Sequence, residues 1–295
     1  MAKSAPSQNS DTITLTPMAD PSHWQGKLQL GFVRDGERTQ LRHRYAQSPL
    51  KIQRPFYPEP GGVCHAVMLH TAGGIAERDR LAISLHLGPQ AQAVVTTPAA
   101  TKVYRSTGST AEQQVSLQVE AGGCLEWLPQ EVIVFNGAQF QQRVRVDLGE
   151  GAIWMGWDIS RLGRSARGEQ FQRGEWRSHQ EVWRQGRLLW IDPQRVGGGS
   201  EALTSAHGLG GYPVVGSFAI VGATVPPQLV NDARSQIHAL SIQGECGLTR
   251  LLEGMLCRYR GHSSREAKRW FTAVWDLARP PLLRRPSCRP PVWSL

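Results

Sequence analysis

The sequence predicts a mainly β protein with two helices near its C-terminus. Short apolar runs alternate with polar residues, as at Val115, Leu117 and Val119, which is the spacing of half-buried strands. The 31 glycines and 19 prolines supply turn residues between these runs. Only two late segments carry apolar residues at helical spacing. Short runs divided by turn residues are typical of an all-β body.

The N-terminal segment differs from the rest of the chain. Residues 1–22 are rich in Ser, Thr, Pro and Asp and show no apolar period, which predicts a flexible segment. Strand-like runs begin near Trp24 and continue without a clear linker. We therefore expect residues 23–295 to form a single β-rich domain.

Several strands can be placed in order along the chain. Val144, Val146 and Leu148 alternate with polar residues, whereas 93–97 and 132–135 are continuous apolar runs of buried strands. Residues 182–190 predict a hairpin with its turn at Gln185 and Gly186. No repeat of fixed length is present, which argues against a propeller or a leucine-rich solenoid.

Two helices are predicted after the strands. The first is indicated by Leu229, Ala233, Ile237 and Leu240. The second begins at a capping box, 263–266, in which a serine and a glutamate satisfy free backbone donors. Its apolar stripe comprises Ala267, Trp270, Phe271, Val274, Leu277 and Ala278. We expect the helix to end at 280–281, because neither proline can donate an N–H.

Charge and cysteine content limit the classes of function. The net charge is +9 and the pI about 9.8, mostly from arginine, which suits an acidic protein partner or nucleic acid. Five cysteines without a Cys-x-x-Cys pair, and an N-terminus without an apolar signal core, predict free thiols and a cytoplasmic location. The uncharged stretch 208–230 contains glycines and prolines that argue against a membrane helix.

One strand combines three soft or borderline metal ligands. If 63–70 is a strand, Cys64, Met68 and His70 lie on one face together with Ala66. These side chains suit a divalent transition metal. Three ligands along one strand do not close a site, however, so core packing with a hydrogen-bonded histidine is the favoured interpretation.

Carboxylates form a second candidate set. Glu126 and Glu131 flank a short apolar segment, and Asp158 and Glu169 bracket an arginine-containing one. Paired carboxylates can catalyse glycoside hydrolysis when about 5–10 Å apart. They can also bind a cation or pair with arginines, and ion pairing is the favoured interpretation. A carbohydrate-active enzyme using Glu126 and Glu131 remains the alternative function.

Other classes of function are disfavoured by missing motifs. The sequence has no Gly-x-x-x-x-Gly-Lys-Ser/Thr loop, no Gly-x-Ser-x-Gly elbow and no His-Glu-x-x-His helix. Nucleic-acid binding would need basic residues interleaved with exposed aromatics, and one segment offers them. Its residues are Arg161, Arg164, Arg167, Arg173, Trp176 and Arg177. Because many tryptophans occupy core-like positions, nucleic-acid binding ranks below protein docking.

Six ordered blocks resemble the urease accessory protein family UreD, called UreH in some organisms. They are PLKIQRPFYPE at 49–59, LHTAGGI at 69–75, TTPAATKVYRS at 96–106, LEWLPQE at 125–131, GWDI at 156–159 with LGR at 162–164 and GE at 168–169, and RPPVW at 289–293. Each block is modest alone, but together they span nearly the whole chain in the family's order.

The resemblance implies a fold and a function. It implies strands stacked in a β-helix-like layered body with a helical pair near the C-terminus. It also implies a maturation factor, not an enzyme, that binds UreF, which recruits the GTPase UreG, and docks on apo-urease. Nickel would pass in transit through an internal polar tunnel, with no tightly bound cofactor and no nucleic-acid or membrane partner.

The resemblance also suggests site residues. Weak oxygen ligands release a nickel ion more readily than a thiolate and imidazole cage does. The transient nickel path is assigned to Asp79, Glu126, Glu131, Asp158, Glu169 and His70, with Ser106 as a further neutral candidate. Partner binding is assigned to Trp270, Phe271, Val274, Arg289 and Trp293, on the expectation that the apolar stripe is partly exposed.

Two departures from the family pattern stand out. Glu77 and Arg78 occupy a position where the family usually has a second glycine pair, before Asp79. If that backbone adopts positive φ, side chains there would strain the turn. Pro291 replaces the arginine usual before Val-Trp, which removes one anion-pairing contact.

Overall fold

The computed structural model describes residues 23–294, so the predicted flexible segment 1–22 lies outside the described residues. That part of the chain forms seventeen strands and two α-helices. Strands β1 to β17 are Gln25–Asp35, Arg38–Gln47, Leu50–Ile52, Cys64–His70, Arg80–Leu87, Gln92–Thr96, Thr101–Val103, Ala111–Val119, Cys124–Leu128, Val132–Val134, Gln139–Leu148, Ile153–Leu162, Glu175–Arg184, Arg187–Gly197, Val214–Val221, Glu245–Leu251 and Gly254–Gly261. The helices α1 and α2 are Pro227–Ala239 and Ser264–Leu283.

The strands form two sheets stacked as the layers of a solenoid. The seven-stranded sheet has the order β14-β13-β11-β8-β5-β1-β2, and β1, β5, β8, β11 and β13 run parallel. In the ten-stranded sheet, β4, β6, β9 and β12 run parallel. Between β4 and β13 the chain passes repeatedly from one sheet to the other, and β7 and β10 are short additional strands of the ten-stranded sheet that pair with each other. The predicted mainly β, β-helix-like fold with two late helices is confirmed.

Apolar residues form one core between the sheets and another beneath the helices. The inter-sheet core includes Leu28, Leu117, Val146 and Trp154, all fully or almost fully buried. The second core packs α1 and α2 on the other face of the ten-stranded sheet. Because strand side chains alternate between faces, β6, β9, β12 and β15 supply side chains to both cores.

The hairpin and the start of α2 agree with the predictions. The turn between β13 and β14 places Gln185 at φ 49° and Gly186 at φ 77°, the positive values of a tight hairpin turn. The Ser263 side chain caps α2 by accepting a bond from the Glu266 N–H at 3.2 Å. The second half of the capping box is absent, because the Glu266 carboxylate accepts from the Tyr259 hydroxyl.

The predicted end of α2 at 280–281 is wrong. The helix continues through Pro280 and Pro281 to Leu283, and the Arg284 N–H bonds to the Pro280 carbonyl. Proline fixes φ near −65°, a value compatible with a helix. The helix therefore continues, although each proline lacks the N–H that would donate a helical hydrogen bond. Buried ion pairs of Arg279, one residue earlier, hold this turn against the sheet.

Candidate functional site

A buried polar cluster interrupts the inter-sheet core. Asp158, from β12, points between the sheets and is nine-tenths buried. Its carboxylate accepts hydrogen bonds from the Ser178 hydroxyl at 2.6 Å and the Gln142 amide at 3.1 Å, from the opposite sheet. Burial raises the pKa of Asp158. The hydrogen bond from Ser178 lowers that pKa and the nearby Asp192 carboxylate raises it, and the net shift is upward.

A second buried carboxylate extends this cluster. Asp192, on β14, accepts from the Ser217 hydroxyl at 2.9 Å and pairs with Arg258 at 2.8 Å. The two sheets are thus joined here by polar groups that have fixed partners. Hydrogen bonds of this kind offset the cost of removing a carboxylate from water.

His70 lines the same interior as Asp158. Both side chains border a narrow cavity of about 50 Å³, together with the amide side chains of Gln113, Gln142 and Gln180. That volume holds a small number of water molecules. The two ring nitrogens of His70 are buried without a hydrogen-bond partner. Burial lowers the pKa of His70, which favours the neutral imidazole able to bind a cation.

Asp79 has a structural role in a turn. Its carboxylate oxygens accept from the backbone N–H groups of Trp24 at 2.9 Å and Ala76 at 2.8 Å. Arg78 adopts φ 65°, so the expected positive φ is present at one of the two replaced glycines. Glu77 accepts from the Thr107 N–H at 2.8 Å and the Ser106 hydroxyl at 2.9 Å, which ties this turn to the next loop.

Glu126 lies on the other face of the ten-stranded sheet, within a buried ion network. It pairs with Arg279 at 2.9 Å and Arg285 at 2.5 Å, and accepts from the Trp275 indole N–H at 2.6 Å. Glu59 pairs with Arg279 at 2.8 Å and contacts the His65 ring at 2.7 Å. The favoured ion-pair interpretation of Glu126 agrees with these contacts. The paired-carboxylate hypothesis is disfavoured for Glu126, because its side chain is fully buried in this conformation.

Glu131 and Glu169 lie apart from the cavity. Glu131 accepts from the Ser264 hydroxyl at 3.1 Å, at the start of α2. Glu169 forms a two-oxygen pair with Arg164 at 2.7 and 2.9 Å, and these hydrogen bonds lower the pKa of Glu169. Of the six candidate path residues, only His70 and Asp158 line the cavity. Residues 23–294 contain no group of three or more His, Cys, Asp or Glu able to hold a metal ion.

The expectation that the α2 stripe is partly exposed is wrong. Trp270, Phe271 and Val274 have zero exposure, because they pack against the outer face of the ten-stranded sheet. A large apolar stripe on a late helix is covered by this chain's own sheet, so it presents no surface to a partner in this conformation.

The two C-terminal candidates differ in exposure. Arg289 is exposed and pairs with Asp276 on α2 at 2.6 Å. Trp293 packs against Trp157 and Trp275 and donates its indole N–H to the Thr96 hydroxyl at 2.9 Å. Both residues therefore fasten the C-terminal segment to the body.

Sequence reasoning missed most of the polar interior. Asp192, Ser178, Gln142 and Gln180 belong to the cluster but were not candidates. Alternation along the strand could have identified them. Ser178 and Gln180 alternate with outward residues in step with the buried Trp176 and Val182, so they also point inward. A polar residue at a core position was the pattern to search for.

The fold and the site define a class of protein. It is a two-layer β-solenoid with a polar cavity between its sheets and two C-terminal helices on one flank. No helix in the described range is both long and apolar enough to cross a membrane.

Comparison with known proteins identifies the family. The family model described as UreD urease accessory protein matches residues 25–294. Urease accessory protein UreD of Trichormus variabilis is 52% identical over 92% of this chain and 96% of its own length. The UreD protein of Acaryochloris marina is 51% identical over 95% of this chain and 99% of its own length. The UreD protein of Thermosynechococcus vestitus is 47% identical over 92% of this chain and 98% of its own length. The chain belongs to the UreD family of urease accessory proteins, as the sequence blocks indicated.

Proposed function

We propose that this protein acts in urease maturation as a scaffold, not an enzyme, through which nickel passes toward apo-urease. UreF and UreG are its proposed partners, and nickel is cargo in transit. The membership of the UreD family supports a role in urease maturation. The single observation that supports the passage is the inter-sheet cavity, which His70 and Asp158 both line.

The chemistry of the cavity suits a transient cation. Asp158 supplies a carboxylate and His70 a free imidazole, while the glutamine amides supply neutral oxygens. These are hard or borderline ligands with few formal charges, which bind a divalent ion weakly enough for release. Of the original six residues, His70 and Asp158 are retained for this path, because Glu126, Glu131 and Glu169 lie outside the cavity and Asp79 holds a turn.

The proposal is tested by nickel loading. Asp158→Asn preserves the shape of the side chain but removes its charge, and His70→Ala removes the imidazole. We expect each variant to reduce the nickel content of urease matured with UreF and UreG by several fold, with the complex with UreF intact. Nickel is measured by mass spectrometry on purified urease.

A matched carboxylate serves as the control. Asp232→Asn alters a residue of α1 whose carboxylate accepts a hydrogen bond from the exposed Gln228 side chain and which does not line the cavity. It should load nickel as the wild type does. Normal loading by both Asp158→Asn and His70→Ala would remove the cavity from the path. Normal loading in the complete absence of this chain would reject the proposed function itself.

A further inference from the structure

Within residues 23–294, no helix or further sheet covers the outer face of the seven-stranded sheet. Five of its strands run parallel, and parallel sheets are usually covered on both faces. Here one face packs on the inter-sheet core, while the helices cover the other sheet. Neighbouring strands lie about 4.8 Å apart, so seven strands give a face roughly 30 Å wide.

The strand register aligns the side chains of this face in rows. One row runs across the sheet in the order Tyr45, Gln29, Ser84, Ser116, Arg145, Glu181, Ile191. In the middle of the row stand Ser84 and Ser116, whose side chains are short. Ala82, two residues before Ser84 on the same strand, is also small. The result is an open trough across the central strands.

Large apolar side chains flank the trough on both sides. Tyr45 on β2 is 45% exposed and Ile191 on β14 is 44% exposed, and each stands on the outer face. Val33 and Leu188 on the same two flanks are 45% and 41% exposed. Exposed apolar groups around a polar groove are typical of a protein interface.

The side chains that line the trough carry a net positive charge. Arg145 and Arg177 pair with carboxylates of the same face. Lys27, Arg80 and Arg143 are exposed and make no ion pair within residues 23–294. Arg143 lines the trough, whereas Lys27 and Arg80 line an adjoining groove of the same face, which Glu112 also borders. Three unpaired cations beside a floor of small side chains favour an acidic protein surface as the occupant.

We propose that this face is the surface on which the chain docks an acidic protein partner. The identity of that partner rests on the proposed function, under which it is apo-urease. The facing patch on apo-urease would carry carboxylates opposite Arg80 and Arg143, with apolar groups against Tyr45 and Ile191. Binding should therefore weaken as salt is raised.

The test compares two charge reversals of equal size. The double variant Arg80→Glu and Arg143→Glu changes the trough and the groove beside it. The control variant Arg250→Glu and Arg265→Glu changes exposed arginines on β16 and α2 by the same net charge. Binding of the purified full-length chain, co-purified with UreF, to immobilised apo-urease is measured after nuclease treatment. We expect at least tenfold weaker binding for the trough variant and less than twofold for the control. Circular dichroism establishes that both variants are folded.

The other outcomes overturn the proposal in distinguishable ways. Equal binding by both variants and the wild type would exclude this face, while leaving the proposed function in place. Equal weakening of both variants would show a non-specific effect of net charge. Binding that disappears on nuclease treatment would assign the face to nucleic acid. If the wild-type complex does not bind apo-urease, the proposed function fails together with this inference.

Discussion

Single residues show how the chain accommodates features that sequence rules disfavour. Arg78 adopts a backbone conformation suited to glycine, and Glu77 bonds to the neighbouring loop at 106–107. Asp158 lies in the core, where its partners are hydroxyl and amide groups and not a cation. In both places several hydrogen bonds hold a conformation or an environment that would be unfavourable without them.

The strain at Arg78 can be measured with two substitutions. Arg78→Ala removes the bond to the Ser109 hydroxyl but keeps a Cβ at positive φ, whereas Arg78→Gly also removes the Cβ. Because a left-handed conformation costs a non-glycine residue about 1 kcal/mol, the glycine variant should be more stable than the alanine variant by about that amount. Urea denaturation measures both free energies of unfolding. Equal stability would show that the turn is unstrained.

The buried carboxyl of Asp158 should make stability depend on pH. Its pKa is raised in the folded protein, so the folded state holds a proton that the unfolded state releases. This contribution favours folding at low pH and is lost as pH rises from about 3.8 through the folded pKa. Asp158→Asn removes that decline, so it should lose less stability between pH 4 and pH 8 than the wild type does. Thermal denaturation across that range measures the difference, and parallel curves would contradict it.

At the scale of elements, α2 is joined to the sheet by apolar packing and by the ion network at its C-terminal end. The aromatic stripe supplies most of the buried area. Arg279 adds specificity, because its guanidinium bridges Glu59 and Glu126 across the helix and sheet interface. Hydrogen bonds from His65 and Arg279 lower the pKa of Glu59 despite its burial.

Removal of this arginine should destabilise the protein strongly. Arg279→Met fills similar volume but removes the guanidinium that bridges Glu59 and Glu126, leaving Arg285 to face both buried carboxylates. Breaking a buried ion pair by removing one partner costs about 3–5 kcal/mol. The lowered pKa of Glu59 contributes stability above about pH 4.5 that is lost below it, so the deficit should shrink in acid. Arg265→Met, at an exposed position of the same helix, should change stability by less than about 0.5 kcal/mol. A deficit equal at pH 4 and pH 7 would exclude the electrostatic explanation.

At the scale of the whole molecule, two sheets separate two kinds of surface. Their inner faces enclose a narrow polar cavity, and the outer face of the seven-stranded sheet presents a basic trough. Cargo and partner would therefore contact opposite faces of the same strands. If both proposals hold, the layered sheets would keep the cargo path and the docking face at fixed positions.

A conduit should release its cargo readily. Because the described residues contain no three-ligand cluster, the isolated chain should bind nickel only weakly. Equilibrium dialysis should find no nickel retained after exchange into a buffer with a weak, monodentate ligand such as imidazole. Stoichiometric retention under those conditions would show a storage site and not a path.

The sequence by itself determined the fold class, the β13–β14 hairpin, the existence of both helices, the start of α2 and the family. These features depend on local periodicity, turn residues and ordered motifs, which a linear chain displays. Only the tertiary structure decided that the α2 stripe is covered, that Glu126 pairs with Arg279, and that His70 meets Asp158. Residues 126 and 279 lie far apart along the chain, and strand alternation alone does not say which face another element covers. Long-range packing sets the exposure and ionisation of a side chain, so the candidate site was recovered only in part.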